Sequence, residues 1–436
     1  MIKHLFCFSV MLPFLGFSQL QIKGTFSPPN EFKTTMLYHL SGGSSDYVSY
    51  GTVNAQGDMQ IELDASVPSG IYRLVYALPQ ADHNFEFIYD ANEDVVFNFD
   101  MDSGVEFIDS KENQLFHSYT QAINAAQKEL LQMYSKSPMD SQLYKLRSQK
   151  IDSIQKTYTA LSKGTIAAQF ITASQPYIPS KPEDANTYTQ NVKAHYFKAI
   201  DFQDSVLQSS NFLIDKSFNY ILQLHTSKTP SFQDFKANVD AVCQQFSIAK
   251  PEFQLTSLVA LKDFLIASQL EFLAVYLTKT YILPLAHQLK DLDQVVKLED
   301  FVRVAIGVKA PDFLIENQTS LYDLDDATNY LLIFWSSDCG HCLNELPEVY
   351  SYFLSHPEKD LKVIAVGLEK TTEKWQEMIK QWPKFTHVLA EGKWENDLPK
   401  RYVVEATPSY FILDANKAIT SKPYLLKDLT SVLDQK

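Results

Sequence analysis

The stretch LLIFWSSDCGHCLNELPEVYSYF, residues 331–353, decides the fold of the C-terminal part of this chain. Its first five residues form an apolar run of strand length, and apolar residues recur at helical spacing from Leu343 to Phe353. Cys339 and Cys342 therefore lie at a strand-to-helix turn, with both sulfurs on one side of the first helical turn. Unpaired N–H groups and a partial positive charge at a helix N-terminus stabilise a thiolate. The pattern predicts a redox-active dithiol.

Three other kinds of site fit these cysteines less well. A zinc site needs four ligands and usually a second C-x-x-C or His pair, which this sequence lacks. A structural disulfide within one helical turn closes almost no loop, so it adds little stability. A peroxidase usually places its cysteine after a Pro and a Thr in a short loop, and residues 335–338 offer neither. We therefore expect no metal and no cofactor.

The first residues of the chain are typical of a secretory signal peptide, which we assign to residues 1–18. Lys3 and His4 precede a short apolar run, and small residues stand before an expected cleavage site at Gln19. No later run approaches the ~18 apolar residues of a transmembrane helix. The sequence therefore predicts an exported protein of the periplasm or cell envelope, with no transmembrane segment after the signal.

The net charge and the cysteine content exclude some classes of partner and of fold. The 436-residue chain has a formal net charge of -14, which argues against nucleic acid or an anionic membrane surface as a partner. Cys7 is lost with the signal peptide, which leaves Cys243 and the dithiol. Cys243 lies in a helical pattern and is expected to be a buried small hydrophobe, with a resolving role as the alternative. The protein therefore does not depend on a disulfide scaffold.

The rest of the chain divides into regions with different periodicity. Residues 19–108 contain six or more short strands separated by turn signals, which predicts a small antiparallel β-sandwich of unknown function. Residues 109–305 show helical periodicity, including one long pattern from Leu143 to Phe170, and predict an all-α spacer. Residues 306–436 alternate between strand and helix patterns. The fold class is thus multidomain, with a sandwich, a helical spacer and a C-terminal α/β domain.

Residues 306–436 resemble the thioredoxin-fold domains of the TlpA/ResA type, which are exported thiol–disulfide oxidoreductases. The resemblance rests on GVKAPDF at residues 307–313, on Phe-Trp before the dithiol, on the pattern C-x-x-C-x-x-E-x-P that ends at Pro347, and on Ala-Thr-Pro at residues 406–408. The order of sandwich, helical spacer and thioredoxin domain also resembles envelope proteins of Bacteroidetes. In those proteins the N-terminal module has no established activity.

The resemblance implies roles for four catalytic residues. Cys339 would attack a substrate disulfide to form a mixed disulfide, and Cys342 would resolve it. Glu345, one turn after Cys342, would accept or return the proton of that thiol. Pro408 would follow a cis peptide bond and pack beside the dithiol.

It also implies three substrate-binding residues. Pro408 would present the backbone of Thr407 to a substrate peptide, which would pair with it like a strand. Trp335 lies directly before the active-site loop, and His341 lies between the cysteines. A cationic His341 would favour the thiolate and make the dithiol more oxidising.

Two positions depart from the pattern of the relatives. Asp338 stands before Cys339, where relatives usually carry an aromatic residue, and its negative charge is expected to oppose the thiolate. Ile333 occupies the position of a buried acid in thioredoxin itself, so proton transfer through a carboxylate would fall to Glu345. The effects of His341 and Asp338 oppose each other, and the direction of the redox reaction stays open.

These observations support an enzyme that reduces disulfides of exported proteins, with a membrane electron donor as a further partner. A disulfide oxidase or isomerase is the first alternative, because His341 favours a more oxidising dithiol. The second alternative is a binding or assembly module with a vestigial thioredoxin domain, because residues 19–305 carry no recognisable chemistry.

Overall fold

The computed structural model describes residues 20–42, 44–80, 82–135, 140–315 and 319–435. The predicted signal peptide and Cys7 lie outside these residues. The chain divides into two compact units. The first contains Met1–Ser231 and Gln244–Phe253, and the second contains Phe232–Cys243 and Gln254–Lys436.

Eight strands of the first unit form two four-stranded sheets, in the orders β4-β1-β7-β8 and β3-β2-β5-β6. Side chains from both sheets fill one apolar core that includes Ile22, Phe26, Leu74 and Phe97, so the predicted sandwich is present. The strands are β1 (Gln21–Ser27), β2 (Thr34–Ser41), β3 (Ser44–Thr52), β4 (Asp58–Glu62), β5 (Gly70–Val75), β6 (Asn84–Tyr89), β7 (Val95–Asp100) and β8 (Gly104–Asp109).

One strand pair departs from the antiparallel prediction. Strands β1 and β7 are parallel, with Ile22 opposite Val95 and Phe26 opposite Phe99. Parallel neighbours need a long crossover connection, and here the intervening chain forms β2 to β6 before β7 returns beside β1. Local alternation of apolar residues fixes which face of a strand is buried but does not fix the direction of its neighbour.

Helices follow the sandwich, as predicted. The long pattern from Leu143 to Phe170 is divided into two helices, because Gly164 adopts a positive φ of 85° between them. The helices are α1 (Lys111–Leu131), α2 (Ser141–Leu161), α3 (Ala167–Ala173), α4 (Ala185–His195), α5 (Ser205–Gln208), α6 (Phe212–Gln223), α7 (Phe232–Phe246), α8 (Pro251–Ala267), α9 (Glu271–Leu277), α10 (Leu283–Leu289) and α11 (Leu292–Arg303).

The second unit contains a five-stranded sheet of order β11-β10-β9-β12-β13. Strands β9, β10 and β11 are parallel, and β12 runs antiparallel to both β9 and β13. The elements are β9 (Asn329–Trp335), α12 (Gly340–Ser355), β10 (Leu361–Glu369), α13 (Glu373–Met378), β11 (Thr386–Glu391), α14 (Asp397–Arg401), β12 (Ser409–Asp414), β13 (Ile419–Ser421) and α15 (Leu426–Asp434).

Both faces of the central strand β9 are buried. Leu332 and Phe334 belong to the apolar cluster on one face, and Leu331, Ile333 and Trp335 belong to the cluster on the other. A parallel strand covered on both faces reads as a continuous apolar run, which is why the sequence around Phe334 shows no alternation. Helix α12 packs on the second cluster through Cys342, Leu346 and Val349.

The predicted fold class is confirmed: a β-rich N-terminal region, a central helical region and a C-terminal α/β domain. Helical residues of the second unit contact the α/β domain, since the carboxylate of Glu271 accepts hydrogen bonds from Ile306 N at 2.9 Å and Lys422 Nζ at 2.8 Å. The boundaries proposed near residues 108 and 305 remain predictions. Among the described residues, every helix is too short or too polar to cross a bilayer.

Candidate active site

The dithiol lies where the sequence placed it, between β9 and α12. Cys339 is the N-cap residue of α12, and its Sγ accepts a hydrogen bond of 3.1 Å from Cys342 N. The two cysteines form a disulfide, with Cα atoms 5.2 Å apart. Cys339 is half-buried, whereas Cys342 has no exposed surface. A molecule from solution can therefore reach the first sulfur but not the second.

The loop before β12 lies against the dithiol. The peptide bond between Thr407 and Pro408 is cis, as predicted. The Thr407 carbonyl oxygen lies 3.2 Å from Cys339 Sγ. Sheet pairing of β12 with β9 begins only at Ser409, opposite Phe334. The backbone of Thr407 is thus next to the accessible sulfur and outside the ladder that joins β12 to β9.

Glu345 occupies the face of α12 that turns toward β12. Its side chain is half-buried, and its Oε2 accepts a hydrogen bond of 2.7 Å from the hydroxyl of Tyr410. Burial, and next the nearby Glu345, raise the pKa of the Tyr410 phenol, so Tyr410 remains a proton donor in this pair. The structure thus gives Glu345 a specific buried partner, which a solvated glutamate on a helix surface would lack.

The other two residues predicted to bind substrate have contrasting environments. His341 is exposed beside the accessible sulfur. Trp335 is completely buried and packs edge-on against Trp382, with ring centroids 5.3 Å apart. This corrects the substrate-binding prediction for Trp335, because a side chain with no exposed surface cannot touch a bound peptide. Its ring belongs to the same apolar cluster as Cys342.

A buried carboxylate that the sequence analysis did not identify holds the loop before the dithiol. Glu369 is 2% exposed, and its two oxygens accept hydrogen bonds from Ser337 N at 2.5 Å and Ser337 Oγ at 2.9 Å. The register pairs Gly367 with Trp335, so Glu369 lies beside Ser337 just beyond the end of β9. The sequence could have indicated this contact, because the carboxyl ends of neighbouring parallel strands meet at one edge of a sheet. Glu369 is the last residue of β10, and only the pairing of β10 with β9 brings it beside Ser337.

The match to known proteins falls on this domain. Residues 328–419 match the Thioredoxin_8 family, described as thioredoxin-like. A stretch of 116 residues, 26% of this chain, is 26% identical to thiol-disulfide oxidoreductase ResA of Bacillus thuringiensis subsp. konkukian and covers 65% of that protein. A stretch of 87 residues, 19% of this chain, is 30% identical to sporulation thiol-disulfide oxidoreductase A of Bacillus subtilis and covers 52% of it.

The C-terminal domain is thus similar to thioredoxin-like proteins and, over part of its length, to curated thiol–disulfide oxidoreductases. Among solved structures, it is similar to a domain of a possible thiol-disulfide isomerase from Cytophaga hutchinsonii, at 32% identity and a TM-score of 0.26, over 30% of this chain and 91% of that one. The two curated relatives support oxidoreductase activity for the thioredoxin-like domain. The match to ResA spans slightly less than two thirds of that protein's length.

The charge of Asp338 is balanced by two lysines of the thioredoxin-like domain. Its carboxylate lies 2.9 Å from Lys374 Nζ and 3.8 Å from Lys393 Nζ. The hydrogen bond from Lys374 lowers the pKa of Asp338, with Lys393 adding a smaller effect. We expected the negative charge of Asp338 to oppose the Cys339 thiolate. The two lysines offset that charge, so the expected opposition is weaker.

The chemistry available at this site is that of the two cysteines. In the described part of the chain, no cluster of three or more His, Cys, Asp or Glu side chains is placed to hold a metal ion. Cys243 is buried in α7, and burial followed by the charge of Asp240 raises the pKa of its thiol. A thiol with a raised pKa is a poor nucleophile at neutral pH. The burial predicted for Cys243 is thus confirmed.

Proposed function

We propose that this protein is an exported thiol–disulfide oxidoreductase that reduces disulfides of envelope proteins through Cys339 and Cys342. The observation that carries the proposal is the asymmetry of the dithiol. Cys339 is accessible at the N-terminus of α12 beside the Thr407 backbone, whereas Cys342 is fully buried. One sulfur is placed to attack a substrate, and the other can react only with its neighbour.

The reaction proceeds by two thiol–disulfide exchanges. The Cys339 thiolate attacks one sulfur of a substrate disulfide, which forms a mixed disulfide and releases the other substrate sulfur as a thiolate that takes up a proton. Cys342 then loses its proton and attacks Cys339 Sγ. This releases the second substrate thiol and leaves the Cys339–Cys342 disulfide. Two electrons pass from the protein dithiol to the substrate, and a separate electron donor must reduce the protein again.

Substrate recognition is proposed for the backbone of Thr407 and the exposed side chain of His341. An extended peptide that pairs with Thr407 would bring its own disulfide to Cys339, since the carbonyl oxygen of Thr407 is only 3.2 Å from that sulfur. Glu345 is proposed as the group that takes the proton of Cys342 during the second exchange. The Tyr410 hydroxyl would hold its carboxylate in one orientation.

The experiment that tests the proposal is reduction of insulin disulfides by the purified chain with dithiothreitol as electron donor. Cys339→Ser should lower the rate to that of dithiothreitol alone, because Cys342 and Cys243 are buried and cannot form the first mixed disulfide. Cys243→Ala is the matched control, since it removes a cysteine that is buried away from the dithiol, and it should keep the activity. A reduction rate in Cys339→Ser that exceeds the rate with dithiothreitol alone would reject the proposal.

Disulfide oxidation or isomerisation is a second candidate, which the charges beside the dithiol favour. Lys374 and Lys393 offset the negative charge of Asp338, and His341 stands between the two cysteines, where a positive charge would stabilise the reduced thiolate form. The reduction potential separates the two directions. A value near that of thioredoxin, about -270 mV, indicates a reductase, and a value nearer about -150 mV indicates an oxidase or isomerase.

Export is a separate part of the proposal and needs its own test. Residues 1–18 have the pattern of a signal peptide. Mass spectrometry of the protein from a cell-envelope fraction should therefore find an N-terminus at Gln19. An intact N-terminus together with recovery in the cytoplasmic fraction would contradict export, whatever the activity of the dithiol.

A further inference from the structure

A cavity of about 320 Å³ lies among helices α1, α4 and α6 of the first unit. Its walls combine aromatic rings with polar side chains, and one lysine, Lys216 of α6, lines it. Small-molecule sites are concave, largely apolar and carry a few well-placed polar groups, and their volumes begin near ~300 Å³. The cavity has the composition of such a site and suits a small ligand.

Among the residues that the structure describes, no carboxylate pairs with Lys216. Within the described residues, its ammonium makes no hydrogen bond or ion pair, and its contacts are two aromatic rings at the limit of cation–π distance. Nζ lies 5.4 Å from the Phe212 ring centroid and 5.8 Å from that of Tyr196. Burial lowers the pKa of Lys216. An ammonium removed from water without a carboxylate is destabilised, and an anion that entered the cavity would relieve that cost.

The other charged groups around the cavity do not neutralise Lys216. No aspartate or glutamate is among the described residues that line it. Glu183 does not line the cavity; its Oε1 accepts hydrogen bonds from Tyr177 at 3.0 Å and from the Asn191 amide at 2.8 Å, and its Oε2 is buried without a hydrogen bond to any described residue. His195, which lines the cavity, uses Nδ1 for the Asn191 carbonyl oxygen and stacks on Tyr177. The cavity therefore has a positive end at Lys216.

Side-chain amides provide further hydrogen-bond donors. Asn124 and Gln127 of α1 line the same cavity. Neither side-chain amide forms a hydrogen bond with the part of the chain that the structure describes. Each can donate two hydrogen bonds and accept two, so they can bind a carboxylate or a polar substituent.

We infer that this cavity binds a small organic carboxylate. The ammonium of Lys216 pairs with the carboxylate, the amides of Asn124 and Gln127 supply hydrogen bonds, and the aromatic walls pack on an apolar or aromatic ligand body. Charge-assisted hydrogen bonds of this kind are about twice as strong as neutral ones, so the charge of the ligand should dominate its affinity. The sandwich and helical region would then be a ligand-binding module in its own right.

The test compares benzoate with benzamide, which have the same shape and differ in charge, by isothermal titration calorimetry on the purified full chain. Wild type should bind benzoate saturably and roughly tenfold more tightly than benzamide, because only benzoate pairs with Lys216. Lys216→Met keeps the length and apolar character of the side chain and should lose that preference. Lys198→Met removes an exposed lysine that does not line the cavity and should bind as wild type does.

Thermal unfolding of the same variants separates loss of binding from loss of structure. Removal of an unpaired, partly buried ammonium should leave the unfolding temperature of Lys216→Met equal to or above that of wild type. A lack of saturable benzoate binding by wild type would overturn the inference. So would equal binding of benzoate and benzamide, or an unchanged preference in Lys216→Met. If Lys216→Met unfolds early, Lys216→Arg, which keeps the charge, must retain the preference.

Discussion

Both carboxylate oxygens of Glu369 accept hydrogen bonds from Ser337, one from its backbone N–H at 2.5 Å and one from its hydroxyl at 2.9 Å. Glu369 is buried at the end of β10, and Ser337 lies two residues before Cys339. The pair therefore fixes the loop between β9 and the N-terminus of α12. Without it, two donors of Ser337 would be buried and unsatisfied next to the dithiol.

Glu369→Gln should destabilise the thioredoxin-like domain, because an amide can accept only through one of its two terminal atoms. The expected loss in free energy of unfolding is about 1–3 kcal/mol, measured by urea denaturation. Glu391→Gln is the control, since Glu391 is paired with Glu369 across β10 and β11 but is exposed. Equal stabilities of Glu369→Gln, Glu391→Gln and wild type would show that the Ser337 contacts contribute nothing.

The hydrogen bond from Tyr410 to Glu345 should matter for the second exchange more than for the first. Tyr410→Phe removes the donor that orients the Glu345 carboxylate, so the mixed disulfide on Cys339 should persist several-fold longer in a quenched single-turnover reaction. Its formation rate should hardly change, because Cys339 is untouched.

Tyr352→Phe is a matched control for Tyr410→Phe. The Tyr352 hydroxyl donates a 2.6 Å hydrogen bond to Asp434, a tyrosine–carboxylate pair near the opposite end of α12. Its loss should leave both exchange steps unchanged. If Tyr410→Phe and Tyr352→Phe slow resolution equally, the effect is general destabilisation, and the proposed role of Glu345 is wrong.

Lys374 should influence the reduction potential through Asp338. Lys374→Met leaves the Asp338 carboxylate with only the more distant Lys393, so negative charge beside Cys339 becomes less compensated. The thiolate form is then less stable, and the potential should become more negative. Equilibration in defined glutathione buffers measures this shift, which should shrink at high salt because the groups are exposed.

Lys400→Met provides the comparison for Lys374→Met. Lys400 pairs with the exposed Glu395 at 3.5 Å and makes no ion pair with Asp338. Its removal should not move the potential. A shift of the same size in both variants would mean that net charge alone, rather than the Asp338 contact, controls the dithiol.

Alkaline stability should depend on the buried phenol of Tyr402. This side chain has no exposed surface, and its hydroxyl donates a 2.6 Å hydrogen bond to the Pro311 carbonyl oxygen. Burial raises the pKa of Tyr402 above the ordinary value of 10.0. Because the folded-state pKa is higher, its stabilising effect is complete below about pH 10 and is lost as the pH rises above that value.

Urea denaturation between pH 8 and pH 11 tests the Tyr402 prediction. Wild type should lose free energy of unfolding above about pH 10, and Tyr402→Phe, which cannot ionise, should lose less. Parallel pH curves for the two proteins would contradict it. Other buried tyrosines, including Tyr410, contribute to the remaining slope.

The part of the site that sequence predicts well is local in the chain. Cys339, Cys342 and the helix that begins between them lie within a few residues, and the cis bond before Pro408 follows from a short motif. The position of Glu369 depends on the register of β10 beside β9, which no local pattern fixes. The burial of Trp335 likewise depends on Trp382, a residue distant in the chain.

In the fold, too, features set by neighbouring residues were predicted, whereas contacts between distant segments were not. Strand and helix regions follow from periodicity, and the interruption at Gly164 is a conformational preference of one residue. The parallel pairing of β1 with β7 joins distant segments and was not predicted. The ion pairs of Asp338 were also missed, because Lys374 and Lys393 are brought to it only by the folded domain.

The most direct test of the central claim is to trap the mixed disulfide. Cys342→Ala removes the resolving thiol, so reduced protein mixed with oxidised glutathione should accumulate one stable adduct. Peptide mass spectrometry should locate that adduct on Cys339 and leave Cys243 unmodified. An unmodified Cys339, or an adduct that forms on Cys243 instead, would contradict the assignment of Cys339 as the attacking thiol and with it the proposed oxidoreductase mechanism.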